Sequence, residues 1–419
     1  MNRRNQDVQL LNKLHIIQLK MSYDENFQKW IKKVMSKIIE SFGPNIEEAQ
    51  YEITETSNVC MSTIHYACVK FKNRLTDQNE EHSIILKRPK QLEVWRQMMG
   101  SDLQFHNEIS FYRMCARPDE NFPKCFYVDE KPPMDSVIAL ENVSKRGYYP
   151  YSYKYNVPLE YTLAAMREIG RFHGRGYVMK ELQKEKFFDI VGQFQGSKYD
   201  KFDEFKLLIN SQATRAVEYL RSHNHDAAFC DKMEALLSNA FDEVMNKVIK
   251  PLEPLSTICH GDFTLNNILF KREGDEQQHA MLIDFAACTY STPVVDLSTY
   301  ISLCCWHEVM KDKFFDIMHV YHDALKEYLL EAGIWNVDKY SYDVFLDDYK
   351  RGSLFGFVTA SYFLPILMGY TSINEQQILE IGIAEYCRKL KQKGGDEISK
   401  ILADILLYLR DLGFLKHFL

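Results

Sequence analysis

The stretch that decides the fold is S-T-I-C-H-G-D-F-T-L-N-N-I-L-F at residues 256–270, followed by M-L-I-D-F-A at residues 281–286. A short apolar run ends at Cys259, the pattern H-G-D-x-x-x-x-N comes next, and the second apolar run leads into Asp284. Turn-forming residues separate the two runs. We therefore predict two strands joined as a hairpin, with the polar residues of the pattern at the strand ends.

The polar residues of this stretch are those that phosphoryl transfer from ATP requires. Mg²⁺ must neutralise the phosphates, and it binds carboxylate and amide oxygens. Asp284 and Asn267 are therefore the predicted metal ligands, and Asp262 is predicted to take the proton from the attacking hydroxyl. Protein kinases use the same order, H-R-D-x-x-x-x-N and then D-F-G. For H-G-D alone, a hairpin whose acids only cap turns would be the better interpretation, but the combined pattern favours catalysis.

Two features depart from protein kinases and resemble small-molecule kinases of the choline kinase and aminoglycoside phosphotransferase group. Gly261 replaces the kinase arginine, and Asp296-Leu297-Ser298 follows downstream. The doubled Asn266-Asn267, the run Leu282-Ile283-Asp284-Phe285 and the spacing Pro293-x-x-Asp296 resemble one branch, the ecdysteroid kinase-like (CHK kinase-like) family. The resemblance covers the chain from about residue 25 to the end.

The resemblance implies an α+β, bilobal protein-kinase-like fold with a small antiparallel β N-lobe and a larger, mostly helical C-lobe. We expect an N-terminal extension over residues 1–22, the N-lobe with the ATP-phosphate grip over 23–143, and the C-lobe with the catalytic loop and acceptor pocket over 144–419. The extension is not a signal peptide, because charges interrupt its apolar stretches. A chain of 419 residues has ample length for two lobes.

Composition limits the partners. The net charge is −7 without a long basic run, which argues against a nucleic-acid partner. The ten cysteines are scattered, as expected in a reducing, cytoplasmic compartment. The uncharged stretch Gly352–Asn374 has the length of a membrane span, but it contains Gly356, Pro365 and Gly369. We predict a buried helix broken near Pro365, and no membrane span. The sequence carries no signal for the oligomeric state.

The N-lobe is predicted from a change of period. Residues 25–42 have apolar residues at helical spacing and are followed by Gly43-Pro44, whereas residues 50–90 are rich in β-formers. Lys87 lies near the end of the strand Ser83–Lys87, and Glu108 falls on the apolar face of the helix Leu103–Met114. A buried carboxylate needs a partner. Lys87 and Glu108 are therefore the predicted ion pair of the kinase template, with Lys87 reaching the α- and β-phosphates.

The remaining nucleotide contacts rest on the resemblance. The family's phosphate loop usually contains glycine, but Glu55–Ser62 has none. Asn58 tolerates a positive φ and Ser57 offers a hydroxyl, so these two residues are the expected phosphate contacts, with a looser grip. Glu141 and Val143 lie in a stretch that resembles the connector between lobes, where backbone groups would bind adenine.

The C-lobe is predicted to be helical from Pro158 onward. His173 lies on the apolar face of a long helix and is interpreted as core packing. Asp296 is expected to accept hydrogen bonds from loop N–H groups, and His260 to position the loop. The many aromatic residues after Asp296 are mostly core, and some are expected to line an acceptor pocket.

The sequence leaves three functions open. The first is an ATP- and Mg²⁺-dependent kinase that phosphorylates a hydroxyl of a small molecule, for which the resemblance implies ecdysteroids or hydroxylated xenobiotics. The second is a choline- or aminoglycoside-type phosphotransferase, whose cationic acceptors need acids or aromatic cages. The third is a nucleotide-binding protein with weak or no catalysis, which the loop without glycine favours.

Overall fold

The structure is a computed structural model that separates into two compact units. It describes residues 25–59, 62–117, 120–152, 157–194, 203–273, 277–305, 312–372 and 375–418. The smaller unit contains Met1–Gln91 and Lys124–Asn142, and the larger contains Leu92–Pro123 and Val143–Leu419. The extension expected over residues 1–22 lies outside the described residues. The larger unit takes in Leu92–Pro123, which lie within the predicted N-lobe of residues 23–143, so the functional lobe boundaries stay a prediction.

The smaller unit is one helix on a five-stranded antiparallel sheet with the strand order β1-β2-β3-β5-β4. The helix α1 covers residues 25–41. The strands are β1 (Ile46–Asn58), β2 (Ser62–Asn73), β3 (Gln78–Pro89), β4 (Cys125–Asp129) and β5 (Val137–Glu141). The turn between β2 and β3 lies at residues 74–77, so β3 begins at Gln78, five residues before the start of the predicted strand Ser83–Lys87.

One face of this sheet forms the core of the smaller unit. Trp30, Val34 and Ile38 of α1 are buried against inward-facing strand residues such as Ile84 and Leu86. The spacing of the helix residues gives one apolar stripe, and the strand residues alternate with outward-facing ones. Since Ile84 and Leu86 face α1, Lys87 lies on the opposite face of the sheet.

The larger unit is mostly helical. Its helices are α2 (Glu93–Met99), α3 (Ser101–Met114), α4 (Leu159–Leu182), α5 (Lys184–Gln193), α6 (Asp203–Ala213), α7 (Arg215–Ser222), α8 (Ala227–Leu237), α9 (Asn246–Val248), α10 (Val294–Cys304), α11 (Phe314–Glu331), α12 (Val337–Tyr340), α13 (Tyr342–Leu367), α14 (Glu375–Ile381), α15 (Ile383–Lys391) and α16 (Gly395–Asp411). Its strands are β6 (Tyr149–Pro150), β7 (Thr257–Cys259), β8 (Ile268–Glu273), β9 (Gln277–Leu282) and β10 (Thr289–Ser291). The predicted α+β class, with an N-terminal antiparallel sheet and a mostly helical remainder, is confirmed.

The two predicted strands do not pair with each other as a hairpin. The strand that ends at Cys259 pairs with β10, and the hairpin is formed by β8 and β9. The physical reason is a short 3₁₀ turn over Leu265–Asn267, which ends the catalytic loop and starts a new strand at Ile268. The run 268–273 does not alternate cleanly between apolar and polar residues, so its strand character was not recognised.

The uncharged stretch from Gly352 belongs to α13, which starts earlier, at Tyr342, and ends at Leu367. Pro365 lies inside the last turn, where a missing N–H disturbs few helical bonds, so the helix continues two residues past it and does not break there. Gly356 lies where a Cβ atom would come within 1.9 Å of the carbonyl oxygen of Ser298 on α10, so the glycine permits close packing of the two helices. Among the described residues, no helix has the length and hydropathy needed to cross a membrane.

Candidate active site

The β8–β9 hairpin brings the two predicted metal ligands to one end of a ladder. Ile268 pairs with Leu282, and the Ile283 backbone N–H donates to the carbonyl oxygen of Asn267 at 3.0 Å. Asn267 therefore lies beside the residue that precedes Asp284. Asp284 has φ 65° and ψ 73°, a left-handed conformation that aspartate adopts more readily than most residues. This conformation turns the chain out of β9 and into the 3₁₀ turn Phe285–Ala287.

The catalytic loop fixes the orientation of the Asn267 amide. Its Nδ2 donates to the backbone oxygen of Asp262 at 3.0 Å and to the Oδ2 of Asp262 at 2.9 Å. Both N–H groups of Asn267 are thus used, and the residue is only 8% exposed. The Oδ1 of Asn267 makes no hydrogen bond within the described part of the chain, so this oxygen is left as an acceptor. A half-buried Asp262 held through one oxygen keeps its other oxygen for a proton.

Asp296 holds the backbone of the loop through hydrogen bonds. Its Oδ2 accepts from the backbone N–H of His260 at 2.7 Å, and its Oδ1 accepts from that of Gly261 at 2.8 Å. The carboxylate is completely buried at the start of α10. The prediction that Asp296 accepts loop N–H bonds is therefore confirmed.

His173 is completely buried in the core, as predicted. Sequence reasoning missed its polar contacts: Nε2 of His173 lies 2.9 Å from the Oδ2 of Asp296, and Nδ1 lies 3.0 Å from the hydroxyl of Tyr321. A carboxylate only accepts, so Nε2 of His173 is the donor in this bond. The ring therefore connects α4 and α11 to the carboxylate of Asp296, which holds the loop. No local signal indicates this contact, since His173 and Asp296 are far apart in the chain.

His260 ties the loop to the hairpin, as predicted. Its Nε2 donates to the carbonyl oxygen of Ile283 at 3.0 Å, and its Nδ1 accepts from the backbone N–H of Asp262 at 3.3 Å. One side chain thus links the residue before Asp284 to the proposed base. In this arrangement both ring nitrogens of His260 are used in structural hydrogen bonds.

Position 261 requires glycine for two reasons, its backbone conformation and the lack of space for a Cβ atom. Its φ is +76°, and a Cβ atom would lie 1.9 Å from the carbonyl oxygen of Ala287. The 3₁₀ turn after Asp284 therefore packs directly on the loop backbone. An arginine, as in protein kinases, has no room here.

We expect Gly261→Ala to lower both stability and turnover. A non-glycine residue in the left-handed region is strained by about 1–2 kcal/mol, and the clash with Ala287 adds to this by displacing the loop. Gly333→Ala is the matched control, because Gly333 has φ +69° but nothing within 4 Å of its Cβ position. The melting temperature and kcat should fall clearly more for Gly261→Ala than for Gly333→Ala. Equal effects in both variants would mean that the contact with Ala287 is unimportant.

Phe285 anchors the segment after Asp284 in an aromatic cluster of the larger unit. It is fully buried, and its ring stacks on Phe111 of α3 with centroids 3.7 Å apart and on Phe172 of α4 at 5.9 Å. Nδ2 of Asn107 donates to the carbonyl oxygen of Ala286 at 3.4 Å. The helix α3 therefore packs on the turn that follows Asp284.

Glu108 lies on the same helix and is 1% exposed. Burial raises the pKa of the nearby Cys288 thiol, and the negative groups of Cys115, Asp296, Glu108 and Asp284 raise it further. Glu108 and Asp284 are thus close enough to the same sulfur to influence it. The predicted pairing of Glu108 with Lys87 joins residues of the two different units and stays a prediction.

In the smaller unit, the pairing of β1, β2 and β3 shows which of the predicted phosphate-binding residues lie on the same face of the sheet. Ile64 of β2 is paired with Ser57 on one side and with Lys87 on the other. Directly paired residues point to the same face of a sheet, so Ser57 and Lys87 both lie on the face that α1 does not cover. Asn58, the next residue along β1, pairs with Thr63, and Thr63 pairs with Arg88 on its other side.

Asn58 is therefore on the other face. Arg88 packs over the ring of Trp30 on α1 at 4.2 Å, which identifies its side of the sheet. The Oδ1 of Asn58 accepts from the Thr63 hydroxyl at 2.9 Å. The structure thus brings Ser57 and Lys87 together on one face and separates Asn58 from them.

The two connector residues fall in different units. Glu141 ends β5, where its Oε2 accepts from the backbone N–H of Lys124 at 3.2 Å. Val143 opens a 3₁₀ turn of the larger unit, and its carbonyl oxygen accepts from the backbone N–H of Tyr148 at 3.3 Å. Their predicted role in binding adenine through backbone groups stays a prediction.

A loop carboxylate bonded to an asparagine amide, next to a hairpin that ends in a second aspartate, is typical of phosphotransferases of the kinase-like group. Residues 56–334 match the sequence model of the ecdysteroid kinase-like family, which is more than half of the chain. The chain therefore belongs to the ecdysteroid kinase-like family, as the motifs predicted. It is a phosphotransferase that acts on hydroxyl groups.

Other comparisons give distant likenesses. A mutant aminoglycoside 2'-phosphotransferase-IIIa in complex with GDP is 13% identical, with a TM-score of 0.39, and the match covers 86% of this chain and 97% of that one. A microcompartment-associated aminopropanol kinase is 15% identical, with a TM-score of 0.39 and coverage of 91% and 98%. No curated protein matches the sequence.

Proposed function

We propose that this protein transfers the terminal phosphoryl group of ATP to a hydroxyl group of a small molecule with the help of Mg²⁺. The observation that carries the proposal is the pair of hydrogen bonds that the Asn267 amide donates to the backbone and the side-chain oxygen of Asp262. It leaves the Oδ1 of Asn267 as a neutral oxygen ligand near Asp284, and it leaves one oxygen of Asp262 as a proton acceptor. Carboxylate and amide oxygens are the ligands that Mg²⁺ prefers, so the donor set fits this ion.

The proposed reaction follows from these roles. Asp262 accepts the proton of the acceptor hydroxyl while the hydroxyl oxygen forms a bond to the terminal phosphorus of ATP. The bond between that phosphorus and the bridging oxygen of ADP breaks. Bound Mg²⁺ supplies charge neutralisation on the phosphates, and Asn267 and Asp284 would hold it.

The nucleotide contacts are part of the same proposal. Lys87, supported by Glu108, would bind the α- and β-phosphates, and Ser57 shares the sheet face of Lys87. Glu141 and Val143 would bind adenine through their backbone groups. Asn58 has the weakest support, since it belongs to the opposite face and its side chain is occupied by Thr63.

For the acceptor we propose an ecdysteroid or a hydroxylated xenobiotic, and family membership supports this choice. The alternatives are a cationic acceptor, as in choline and aminoglycoside phosphotransferases, and nucleotide binding with weak catalysis. The absence of glycine from Glu55–Ser62, the predicted phosphate loop, favours the last alternative. Glycine permits the close approach of backbone N–H groups to phosphate. A cytoplasmic location, expected from the scattered cysteines, stays a prediction.

The test is an acceptor panel with the full chain, ATP and Mg²⁺. We expect ADP release that depends on a hydroxylated steroid or xenobiotic, and a product heavier by about 80 Da, the mass of one phosphoryl group. Removal of divalent cations with a chelator should stop the reaction. Faster turnover of choline or kanamycin would support the cationic acceptor, and tight ATP binding without transfer to any acceptor would contradict the proposed activity.

A further inference from the structure

A cavity of about 430 Å³ lies in the larger unit, between α4, the segment around Asn121 and strand β9. Its walls include neither Asp262, Asn267 nor Asp284. We propose that this cavity binds a phosphate group, carried by inorganic phosphate or by a small phosphate monoester, between the guanidinium groups of Arg167 and Arg171. The proposal does not depend on the activity proposed above.

Three arginines point to the cavity from one side of α4. Arg167, Arg171 and Arg175 are spaced four residues apart, so they lie one above the other on the helix surface. Arg175 is neutralised by Glu120, whose Oε2 lies 2.6 Å from its Nη2. Arg167 and Arg171 form no ion pair within the described ranges. Burial lowers the pKa of Arg167, and the neighbouring charge of Arg171 lowers it further.

Two adjacent guanidinium groups without a carboxylate at ion-pair distance are an unfavourable arrangement unless an anion joins them, and the attraction of Glu168 for Arg171 is lost when Glu168 is protonated. Arginine is the residue best suited to this, because its planar fork binds two oxygens of a tetrahedral oxyanion at once. Arg167 is half-buried, so its charge is less screened by water than that of a surface arginine. The geometry therefore favours a doubly charged oxyanion over a chloride or a single carboxylate.

Glu168 lines the cavity between Arg167 and Arg171 in the sequence of α4. Nδ2 of Asn121 donates to its Oε1 at 3.0 Å and also to the carbonyl oxygen of Ala280 at 2.8 Å. Burial raises the pKa of Glu168 to about 7, although Asn121 and Arg171 act in the opposite direction. Near neutral pH this carboxyl is therefore partly protonated. A neutral Glu168 removes a negative charge from the cavity wall and offers a proton to an anion.

The charges around Glu168 determine the expected pH dependence. Arg167, Arg171 and Arg175 line the cavity from its own helix, Glu120 from the segment before α4, His279 from β9 and Tyr328 from α11. With Glu120 neutralising Arg175, the remaining charge is positive when Glu168 is protonated and smaller when it is ionised. Anion binding should thus be tighter below pH 7 and weaker above it.

A row of acids on α11 lowers the positive potential near Arg167 and Arg171. Asp323, Glu327 and Glu331 line the neighbouring groove, which Arg167 and Arg171 also border. All three acids are exposed, so water and salt screen them. The pKa of Arg167 is not raised by any of them. Their effect is therefore weak compared with that of the adjacent guanidinium groups.

The walls leave room for an organic group next to the phosphate. Phe122, Phe172 and Ala280 provide apolar surface, and the Gln278 side chain faces the cavity with 7% exposure. Within the described residues this side chain makes no hydrogen bond. A polyol phosphate would use both the apolar walls and this amide.

The experiment titrates the full chain with sulfate, whose charge stays at −2 near neutral pH, and measures affinity by calorimetry. Arg171→Glu and Arg167→Gln should each weaken sulfate binding by about tenfold or more, as expected when a charge-assisted hydrogen bond is lost. Arg388→Gln is the matched control, because Arg388 is an exposed arginine of the same unit that pairs with Glu385. Arg171 is also exposed, so its replacement should leave folding intact, which circular dichroism would verify.

Two further arms complete the test. Sulfate affinity should fall several-fold between about pH 6 and about pH 8 in the wild type, and Glu168→Gln should clearly reduce this dependence. Titration with glycerol 3-phosphate and with inorganic phosphate then distinguishes the two sources of the phosphate group. Absence of binding to the wild type, or equal affinity in the wild type and in Arg171→Glu, would overturn the proposal.

Discussion

Replacing Asp262 with asparagine is expected to lower kcat by about 10²–10⁴-fold, the usual contribution of a general base. Asparagine has nearly the same shape but cannot accept the proton of the acceptor hydroxyl at neutral pH. Its side-chain oxygen can still accept the bond that the Asn267 amide now donates to Asp262 at 2.9 Å. The loop should therefore keep its geometry, and the loss should concern the chemical step alone.

The measurement is steady-state turnover with the best acceptor, together with nucleotide affinity by calorimetry. The affinity for a non-hydrolysable ATP analogue should stay within a few-fold of the wild type, because Asp262 is not one of the proposed metal ligands. Asp231→Asn serves as the matched control, since Asp231 is an exposed aspartate of the same unit. A kcat within a factor of about three of the wild type would contradict the role of Asp262 as the base.

Much of the smaller unit was predictable because each element carries its own periodic signal. Trp30, Val34 and Ile38 repeat at helical spacing, and the helix forms where they predict it. In β3, the run Ile84-Ile85-Leu86 does not alternate, but successive strand residues point to opposite faces, so Lys87 is expected on the face opposite Leu86. Patterns of this kind need no knowledge of the rest of the chain.

The site was most predictable where its contacts are local. The spacing from Asp262 to Asn267 is closed by one 3₁₀ turn, so the motif itself encodes their hydrogen bond. By contrast, the partner of the strand ending at Cys259 is the three-residue strand β10, which is too short to give a periodic signal. Strand pairing over such a distance depends on the packing of the whole unit.

The contact between His173 and Asp296 was missed for the same reason. The sequence indicates that His173 lies on the buried face of α4, but not which element covers that face. A buried histidine can pack against apolar side chains or bond to a carboxylate, and the position along α4 is compatible with both. The distinction appears only when α4, α10 and α11 are seen together.

Asp296→Ala is expected to lower the free energy of unfolding by about 3–5 kcal/mol, because it leaves buried partners of a charged group unsatisfied. The backbone N–H groups of His260 and Gly261 and the Nε2 of His173 all donate to this carboxylate. The loss is a large part of the total stability of a typical protein, about 5–15 kcal/mol. Urea unfolding followed by circular dichroism measures it.

A structural role for Asp296 predicts a pattern that differs from that of Asp262. Asp296→Ala should lower stability and kcat together, since the loop carrying Asp262 loses its support, whereas Asp262→Asn should lower kcat alone. Replacing His173 with alanine removes one of the three donors, and the double variant His173→Ala/Asp296→Ala should be less destabilised than the sum of the two single variants. If Asp296→Ala unfolds at the same urea concentration as the wild type, the carboxylate does not hold the loop.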